Sequence, residues 1–256
     1  FSGFLNFKFG LSSGRHLNLL IYNILPSHPD RNCGPFYEPG IFAIHIVMVM
    51  FLSNIYSLRK SVWWYLILVI VVLSTKSTTG YILLLIYFLY VILTHRSRFK
   101  FVLLAVLLSS FTLAWFNLPF LEDKSQAELE SAVSDNGHGI SWSRTGSAIL
   151  DFEYIKESPL FGNGLSLQSR YRNHITHGNV DLFTGFGNGL TGFISSMGLI
   201  IFFLYMRIIY KLFRNNHVAL YNYRWAQSLC FLAIFLVSMT GQYILNFPLF
   251  WIFIFL

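Results

Sequence analysis

Residues 62–94 read VWWYLILVIVVLSTKSTTGYILLLIYFLYVILT. Two apolar runs, Val62–Ser74 and Thr78–Thr94, flank a short polar turn whose one charged residue is Lys76. A membrane-spanning helix needs about 20 apolar residues, with a range of roughly 17–25. The second run reaches this range, and the first reaches it if its interfacial tryptophans and the polar turn complete the crossing. The stretch predicts two membrane helices, and the alternative is one long hydrophobic hairpin with a re-entrant turn.

The same pattern recurs along the chain. Further spans are predicted at Gly40–Leu58, Phe101–Leu118, Leu190–Phe213 and Trp225–Tyr243, and Phe247 opens a seventh. Hydrophobic residues make up 55% of the sequence and charged residues 11%, whereas a soluble domain carries about 25% charge. We therefore expect an all-α, polytopic transmembrane helical bundle that forms one integral membrane domain over residues 1–256.

The charges of the connecting loops predict the orientation. Three short loops on one side carry basic residues and no acidic residue: Arg59, Lys60, Arg96, Arg98, Lys100, Arg207, Lys211, Arg214 and Arg224. The long loop on the opposite side, residues 119–189, has more acidic than basic residues. The positive-inside rule then places the short loops in the cytoplasm and the long loop, with its short helices, outside. The net charge of +7 is thus explained by topology anchors, and nucleic acid is not an expected partner.

Four polar segments are predicted to meet the outer side of the bundle. They are residues 30–40, residues 74–80, the long loop 119–189 and residues 242–246. The cytoplasmic loops contain little beyond their anchoring charges. A functional site is therefore expected on the extracytoplasmic side.

Glu38 and Arg31 form the first candidate pair. Glu38 precedes Pro39, which suits a first helical position, so the carboxylate is either a helix cap or a base at the mouth of a polar cavity that also orients Arg31. His45 lies two helical turns further on the same face. A buried histidine hydrogen-bonded to a neighbouring helix is the favoured interpretation of His45, although ionisable groups within spans often mark function.

Lys76 and Arg144 are candidate anion-binding residues. The hydroxyls around Lys76 either cap the next span or join the lysine in holding a phosphate, but the glycines of a nucleotide-binding phosphate loop are missing. Arg144 is predicted in the first turn of a helix over residues 143–156, where the helix dipole disfavours a cation. An anionic partner explains an arginine at that position better than local stability does. In this helix Ala148, Phe152 and Ile155 lie on one stripe, and residues 158–164 end it with a tight turn.

The second half of the long loop holds a further polar cluster. Arg170 and Arg172 suit diphosphate recognition through forked hydrogen bonds, and a solvated polar loop is the alternative. His174 and His177 lack a third ligand at a recognisable spacing, so no metal site is predicted. Asp151 and Glu153 need not bind a metal together, because residues two apart on a helix point apart.

The two cysteines and the two ends of the sequence lead to two further expectations. Cys33 and Cys230 lie far apart, one in a polar and one in an apolar stretch, so no disulfide framework is expected. The sequence begins at Phe1 without Met and ends at Leu256 within an apolar run. It is interpreted as a fragment of a longer membrane protein, truncated at both ends.

The order of these motifs resembles the bacterial O-antigen polymerase family and, more broadly, the O-antigen ligase and polymerase superfamily. The motifs are Arg-x2-Gly-x3-Glu-Pro-Gly at 31–40, Ser/Thr-Gly at 77–80, an Arg followed by Pro-Leu-Phe-Gly-x-Gly at 144 and 159–164, and a glycine-rich entry to a span at 177–192. Together they cover most of residues 31–200. The ligase branch has Asn-Pro where this chain has Glu38-Pro39, which favours a polymerase.

The resemblance implies an inverting glycosyltransferase of the bacterial inner membrane with a fold similar to the type C membrane glycosyltransferases. Its substrate would be a polyprenyl-diphosphate-linked oligosaccharide, and membrane lipid and a chain-length regulator protein would be its partners, with the long loop in the periplasm. Neither cofactor nor metal is implied. Arg31, Lys76, Arg144, Arg170 and Arg172 would hold the diphosphate or stabilise its developing charge. Glu38 or His177 would accept the proton of the acceptor hydroxyl.

Other functions remain open at this point. An O-antigen ligase that transfers polymer to a lipid acceptor is the first. A transporter or flippase of lipid-linked oligosaccharide is the second, but transporters place binding groups near the bilayer midplane and often have repeated halves, which this sequence lacks. A receptor or scaffold with a folded outer loop is the third.

Overall fold

The computed structural model describes residues 17–18, 23–24, 31–36, 38–56, 61–94, 100–117, 126, 144–166, 188–215 and 224–241. Within them the chain forms seven α-helices: α1 (Pro39–Ile55), α2 (Val62–Ser74), α3 (Thr78–Thr94), α4 (Lys100–Asn117), α5 (Arg144–Glu157), α6 (Gly189–Asn215) and α7 (Arg224–Gly241). Strands β1 (Leu17–Asn18) and β2 (Asn23–Ile24) form one short antiparallel pair. The described part of the chain is therefore almost wholly helical, as predicted.

The apolar runs of the sequence form the helices predicted for them. Helices α2 and α3 have the bounds of the two runs on either side of the Lys76 turn. Helix α1 begins at Pro39, whose fixed φ and missing N–H suit the first turn. The predicted seventh span, from Phe247, lies outside the described residues.

The chain divides into two compact units, Phe1–Leu89 and Tyr90–Leu256. In the first unit α1 packs against α2. The side chains of Ile44, Val47 and Phe51 of α1 are fully buried, whereas α2 buries only Leu68 and Val72. The rest of α2 presents large apolar side chains to its surroundings, including both tryptophans.

In the second unit α6 packs against both α7 and α5. Tyr154 of α5 and Ile234, Phe235 and Met239 of α7 are among its most deeply buried side chains. The buried face of α5 differs from the apolar stripe named in the sequence. Phe152 on that stripe is 54% exposed, and the face formed by Ser147, Leu150, Asp151 and Tyr154 is buried instead. The predicted helix is therefore confirmed, whereas the sequence predicted no buried face for it.

Helix α6 is broken at Gly198, whose φ of 80° and ψ of 169° are not helical. The turn that follows α5 fills the break. Asn163 N–H and Gly164 N–H donate to the carbonyls of Ser195 (2.8 Å) and Ser196 (2.9 Å), while Leu199 N–H and Ile200 N–H donate to the carbonyls of Pro159 (2.9 Å) and Leu160 (3.3 Å). The break frees backbone groups on α6, and the turn supplies their partners. We call this arrangement of residues 158–164 with residues 195–200 the glycine crossing.

Among the described residues, one helical segment is long and apolar enough to cross a membrane: Gly189–Lys211, with 23 residues and a mean hydropathy of 1.9. Four apolar helices are shorter, namely Pro39–Ile55, Val62–Ser74, Thr78–Thr94 and Trp225–Gly241. Helices are thus present at the six predicted spans that lie within the described residues. The number of membrane crossings stays a prediction.

Candidate functional site

Three of the predicted site residues lie at one end of the first unit. Arg31 precedes α1, Glu38 is the N-cap of α1, and Lys76 lies in the turn between α2 and α3. Two of the four polar segments, residues 30–40 and 74–80, are thereby brought together as predicted. Arg170, Arg172 and His177 lie outside the described residues, as does the polar segment 242–246.

Arg31 joins these two segments through its guanidinium group. Its Nε donates to the carbonyl oxygen of Thr75 (3.2 Å) and its Nη2 to that of Lys76 (2.9 Å). These carbonyls follow the last turn of α2, where helical carbonyls lack intrahelical partners and a cation is favoured by the helix dipole. Arg31 therefore acts as a remote C-terminal cap of α2, a role that the sequence did not predict.

Asn32 adds a second connection beside Arg31. Its backbone N–H donates to the carbonyl of Ser74 (3.1 Å) and its Nδ2 to Ser74 Oγ (2.9 Å). Its Oδ1 accepts from the N–H of Gly34 (3.0 Å), a glycine with a positive φ of 53°. The segment before α1 is thus fastened to the end of α2 by backbone and side-chain bonds together.

Among the residues that the structure describes, Lys76 is the one residue other than glycine that has a positive φ, 46°. L-residues with side chains adopt this left-handed region at a cost of roughly 1–2 kcal/mol. The left-handed conformation of Lys76 lies where α2 ends, just before α3 starts. There Thr75 N–H donates to the Val72 carbonyl and Lys76 N–H donates to the Leu73 carbonyl. Glycine satisfies such a position without strain, so the lysine side chain has a cost that its position alone does not explain.

Ser77 caps α3 as the hydroxyl-capping interpretation predicted. Its Oγ accepts from Gly80 N–H at 3.3 Å, and its carbonyl accepts from Tyr81 N–H at 3.0 Å. The positive charges of Lys76 and Arg31 both act on the Tyr81 hydroxyl, which donates to the Leu73 carbonyl at 3.1 Å. Two cations and a phenol therefore lie at one turn, which we call the Arg31–Lys76 turn.

Glu38 occupies the N-cap of α1 with extended backbone angles, φ −141° and ψ 135°. Its side chain makes no capping hydrogen bond, so the capping interpretation describes its position but not its carboxylate. The carboxylate lies near enough to the Cys33 thiol to act on it electrostatically, as does Arg31. The role of Glu38 as a base stays a prediction.

Cys33 is fully buried beneath this region. Burial raises the pKa of its thiol, the Arg31 charge opposes that change, and the Glu38 charge adds to it. A thiol with a raised pKa is a poor nucleophile at neutral pH. Cys33 is therefore a packing residue of the site.

His45 extends the same end of α1 inwards. Its Nδ1 lies 2.8 Å from the carbonyl oxygen of Ile41, one turn earlier in its own helix, and its ring stacks on Phe36 at 4.4 Å between centroids. The prediction named a neighbouring helix as the hydrogen-bond partner. The structure instead shows a bond to a backbone carbonyl within α1. The stacking on Phe36 connects α1 to the segment before it.

Arg144 is the first residue of α5, so its predicted place in the first helical turn is confirmed. The sequence did not reveal what holds this helix in the second unit. Asp151 is fully buried and accepts a 2.7 Å hydrogen bond at Oδ2 from Thr191 Oγ1. Glu153 is exposed, so the Asp-x-Glu pair points apart as expected.

Thr191 stands in the first turn of α6, which Asn188 caps. Asn188 Oδ1 accepts from the N–H groups of Leu190 (3.1 Å) and Thr191 (3.2 Å). The buried carboxylate of Asp151 is thereby joined to a helix start, where negative charge is favoured. The sequence does contain a pattern that predicts this buried polar face, because Ser147, Asp151 and Tyr154 are spaced i, i+4 and i+7 and so lie on one side of a helix.

The described residues contain no cluster of three or more histidine, cysteine or acidic side chains suited to a metal ion. The site is instead a set of cations, one carboxylate and hydroxyl groups around the ends of apolar helices. Such a set can bind an anionic group and accept a proton. Comparison of the chain with family models, curated proteins and solved structures gives no match.

Proposed function

We propose that the protein is an integral membrane glycosyltransferase that polymerises repeat units of a cell-envelope polysaccharide, with a polyprenyl-diphosphate-linked oligosaccharide as donor. The observation that carries the proposal is the Arg31–Lys76 turn. A hydrogen bond of 2.9 Å from Arg31 Nη2 to the Lys76 carbonyl holds two cations at the junction of two apolar helices. A lipid-linked diphosphate is complementary to both features, because it joins an anionic group to a long apolar chain.

The apolar surface supports the lipid part of the proposal. Large side chains of α2 are exposed along most of its length, including Trp63, Ile67 and Ile70. Contiguous exposed apolar surface is a liability in water and marks a site of contact with a membrane or partner. Together with the apolar segment Gly189–Lys211, this favours a chain whose helices lie in lipid.

The proposed reaction joins the acceptor hydroxyl oxygen to the anomeric carbon of the donor sugar with inversion. The bond from that carbon to the diphosphate oxygen breaks, and the polyprenyl diphosphate leaves with the electron pair of that bond on its oxygen. Arg31 and Lys76 stabilise the charge that develops on the leaving oxygen. The hydroxyl proton passes to Glu38 or His177 as general base, so no cofactor is needed to balance the reaction.

A transporter is the second candidate, because broken helices such as α6 often expose half-helix ends to an ion or substrate. At the Gly198 break, however, four of these backbone groups bond to the turn that follows α5. This occupancy favours a structural role for the break. The enzyme therefore remains the preferred function.

The test is complementation of the source bacterium from which the gene has been deleted, with surface polysaccharide separated by chain length. Lys76→Gln should lose the long polymer while the protein stays in the membrane fraction, and Lys76→Arg should retain part of it. Lys156→Gln, at an exposed lysine of α5, is the matched control and should keep normal ladders. Normal ladders with Lys76→Gln would refute the proposed role of the turn, and transfer of preformed polymer to a lipid acceptor would indicate a ligase.

A further inference from the structure

The turn after α5 exposes its large apolar side chains, whereas the polar residues Ser158 and Asn163 are half-buried. Residues 158–166 read SPLFGNGLS and contain no ionisable side chain. Leu160, Phe161 and Leu165 are 52%, 76% and 70% exposed. A loop tip in water normally shows the opposite arrangement, because exposed large apolar groups are unfavourable there.

The polar groups of the turn are directed into the second unit. Asn163 Nδ2 donates to the carbonyls of Tyr154 (2.8 Å) and Ser195 (3.3 Å). Ser158 Oγ donates to the carbonyl of Gly162 (2.9 Å). The side chains of Ser158 and Asn163 therefore donate their hydrogen bonds within the protein.

The glycine crossing fixes the level of this turn along α6. Gly198 is nine residues beyond Gly189, where the apolar segment of spanning length begins, which corresponds to about 14 Å along a helix. At the same level and beyond, α6 exposes Ile200, Ile201, Phe203 and Leu204. The turn therefore lies at a level of the candidate span where α6 also exposes large apolar side chains.

Non-helical backbone is tolerated at membrane depth only where it is buried in protein or lines a water-filled cavity. The crossing meets that condition at the break, since the turn and α6 exchange four backbone hydrogen bonds. Each bond left unmade in lipid would cost several kcal/mol, on the order of the desolvation of an amide.

From these observations we propose that residues 159–165 form a re-entrant turn that enters the membrane, with Leu160, Phe161 and Leu165 in contact with lipid acyl chains. The proposal rests on the membrane part of the proposed function and not on the transferase chemistry. The turn follows directly from α5, the helix that begins at the candidate Arg144. The long loop would then be anchored in the lipid layer from which a lipid-linked substrate arrives.

The experiment uses site-directed spin labels on the full chain in phospholipid vesicles. The two native cysteines are replaced (Cys33→Ala, Cys230→Ala), and single labels are introduced by Phe161→Cys, Glu153→Cys and Phe203→Cys. Glu153 is an exposed charged residue of α5 and Phe203 an exposed apolar residue of α6. Collision rates with molecular oxygen, which concentrates in lipid, are compared with those of a water-soluble nickel chelate.

We expect the oxygen-to-nickel ratio to be several-fold higher at position 161 than at position 153, and highest at position 203. A high ratio at 203 with a low ratio at 161, like that at 153, would overturn the re-entrant turn while leaving a membrane protein. Low ratios at all three positions would overturn the membrane proposal as well. Protection of position 161 from both reagents would also overturn the inference, since it would place protein rather than lipid on the turn.

Discussion

Gly162 and Gly198 cross at backbone contact distance in the second unit. A Cβ atom added to Gly198 would lie 2.7 Å from the nitrogen of Gly162, and one added to Gly162 would lie 2.6 Å from the nitrogen of Gly198. Both residues have positive φ, 71° and 80°. The two glycines are therefore required by close approach and by backbone conformation at the same time.

Alanine at Gly198 should separate α6 from the turn after α5. The new methyl group would overlap the Leu160 carbonyl, and the backbone conformation is one that essentially only glycine adopts. We expect Gly198→Ala to lower the free energy of unfolding by about 3 kcal/mol or more, the sum of a strained conformation and lost buried bonds. Thermal unfolding in detergent, followed by circular dichroism, measures the change.

Gly146→Ala is the matched control for the crossing. Gly146 lies within α5 and does not have a positive φ, and alanine is favoured over glycine in a helix by roughly 0.5–1 kcal/mol. This variant should unfold at the same temperature as the parent or slightly higher. Equal effects of the two substitutions would contradict the crossing.

The bond between Asp151 and Thr191 should show strong energetic coupling. Thr191→Val removes the donor to a fully buried carboxylate, and hydrogen bonds to charged groups are worth about 1.5–3 kcal/mol. We expect Thr191→Val and Asp151→Asn each to destabilise the protein. A double-mutant cycle should return a coupling of on the order of 1–2 kcal/mol. Glu153→Gln, at an exposed position of the same helix, should change stability little, and additive effects at 151 and 191 would disprove the coupling.

Lys76→Gly should separate stability from function. Glycine removes the strain of the positive φ and keeps the backbone carbonyl that accepts from Arg31. The variant should therefore be as stable as the parent or more stable, by up to about 1 kcal/mol, yet produce shortened polysaccharide. If it retained full-length polymer, the lysine charge would have no part in the reaction.

Cys33 should react with thiol reagents slowly and at unusually high pH. Burial raises the pKa of its thiol above the ordinary value of a cysteine, about 9.0, so the reactive thiolate is scarcer than in a free cysteine at any given pH. The stability that the protonated thiol contributes is present below pH 9.0 and is lost as the pH rises through the higher folded-state pKa. Alkylation in a Cys230→Ala background measures the reactivity, with an added Glu153→Cys as exposed reference. Equal rates and pH profiles for the two thiols would contradict the burial of Cys33.

Hydropathy alone predicted the helices well. The runs Val62–Ser74 and Thr78–Thr94 became α2 and α3 without a change of bounds, because a long apolar run bounded by polar turns has few alternatives to a helix. The buried face of α5 was missed for a physical reason. Its carboxylate is satisfied by Thr191, forty residues further along the chain, and a local pattern contains no information about such a partner.

The same limit applies to the candidate site. Lys76 and Arg31 were recognised as cations on one side of the predicted bundle. Their connection through carbonyl groups at the end of α2 depends on the fold. The crossing of Gly162 with Gly198 likewise joins positions that look like ordinary turn and helix glycines in the sequence. Residue types were predictable, and long-range hydrogen-bond partners were not.

Arg144→Ala should abolish long polymer without harming the fold. The residue is the first of α5, where the helix dipole disfavours a cation by roughly 0.3–1 kcal/mol. Removing the charge should therefore leave α5 as stable or slightly more stable. Loss of polymer would then be attributable to the lost cation. Membrane-fraction yield and thermal unfolding supply the stability comparison, and Arg144→Lys, which keeps the charge, should retain part of the polymer. Unchanged polysaccharide ladders in Arg144→Ala would remove this arginine from the proposed reaction, because a residue in an electrostatically unfavourable place would then have neither a structural nor a catalytic explanation.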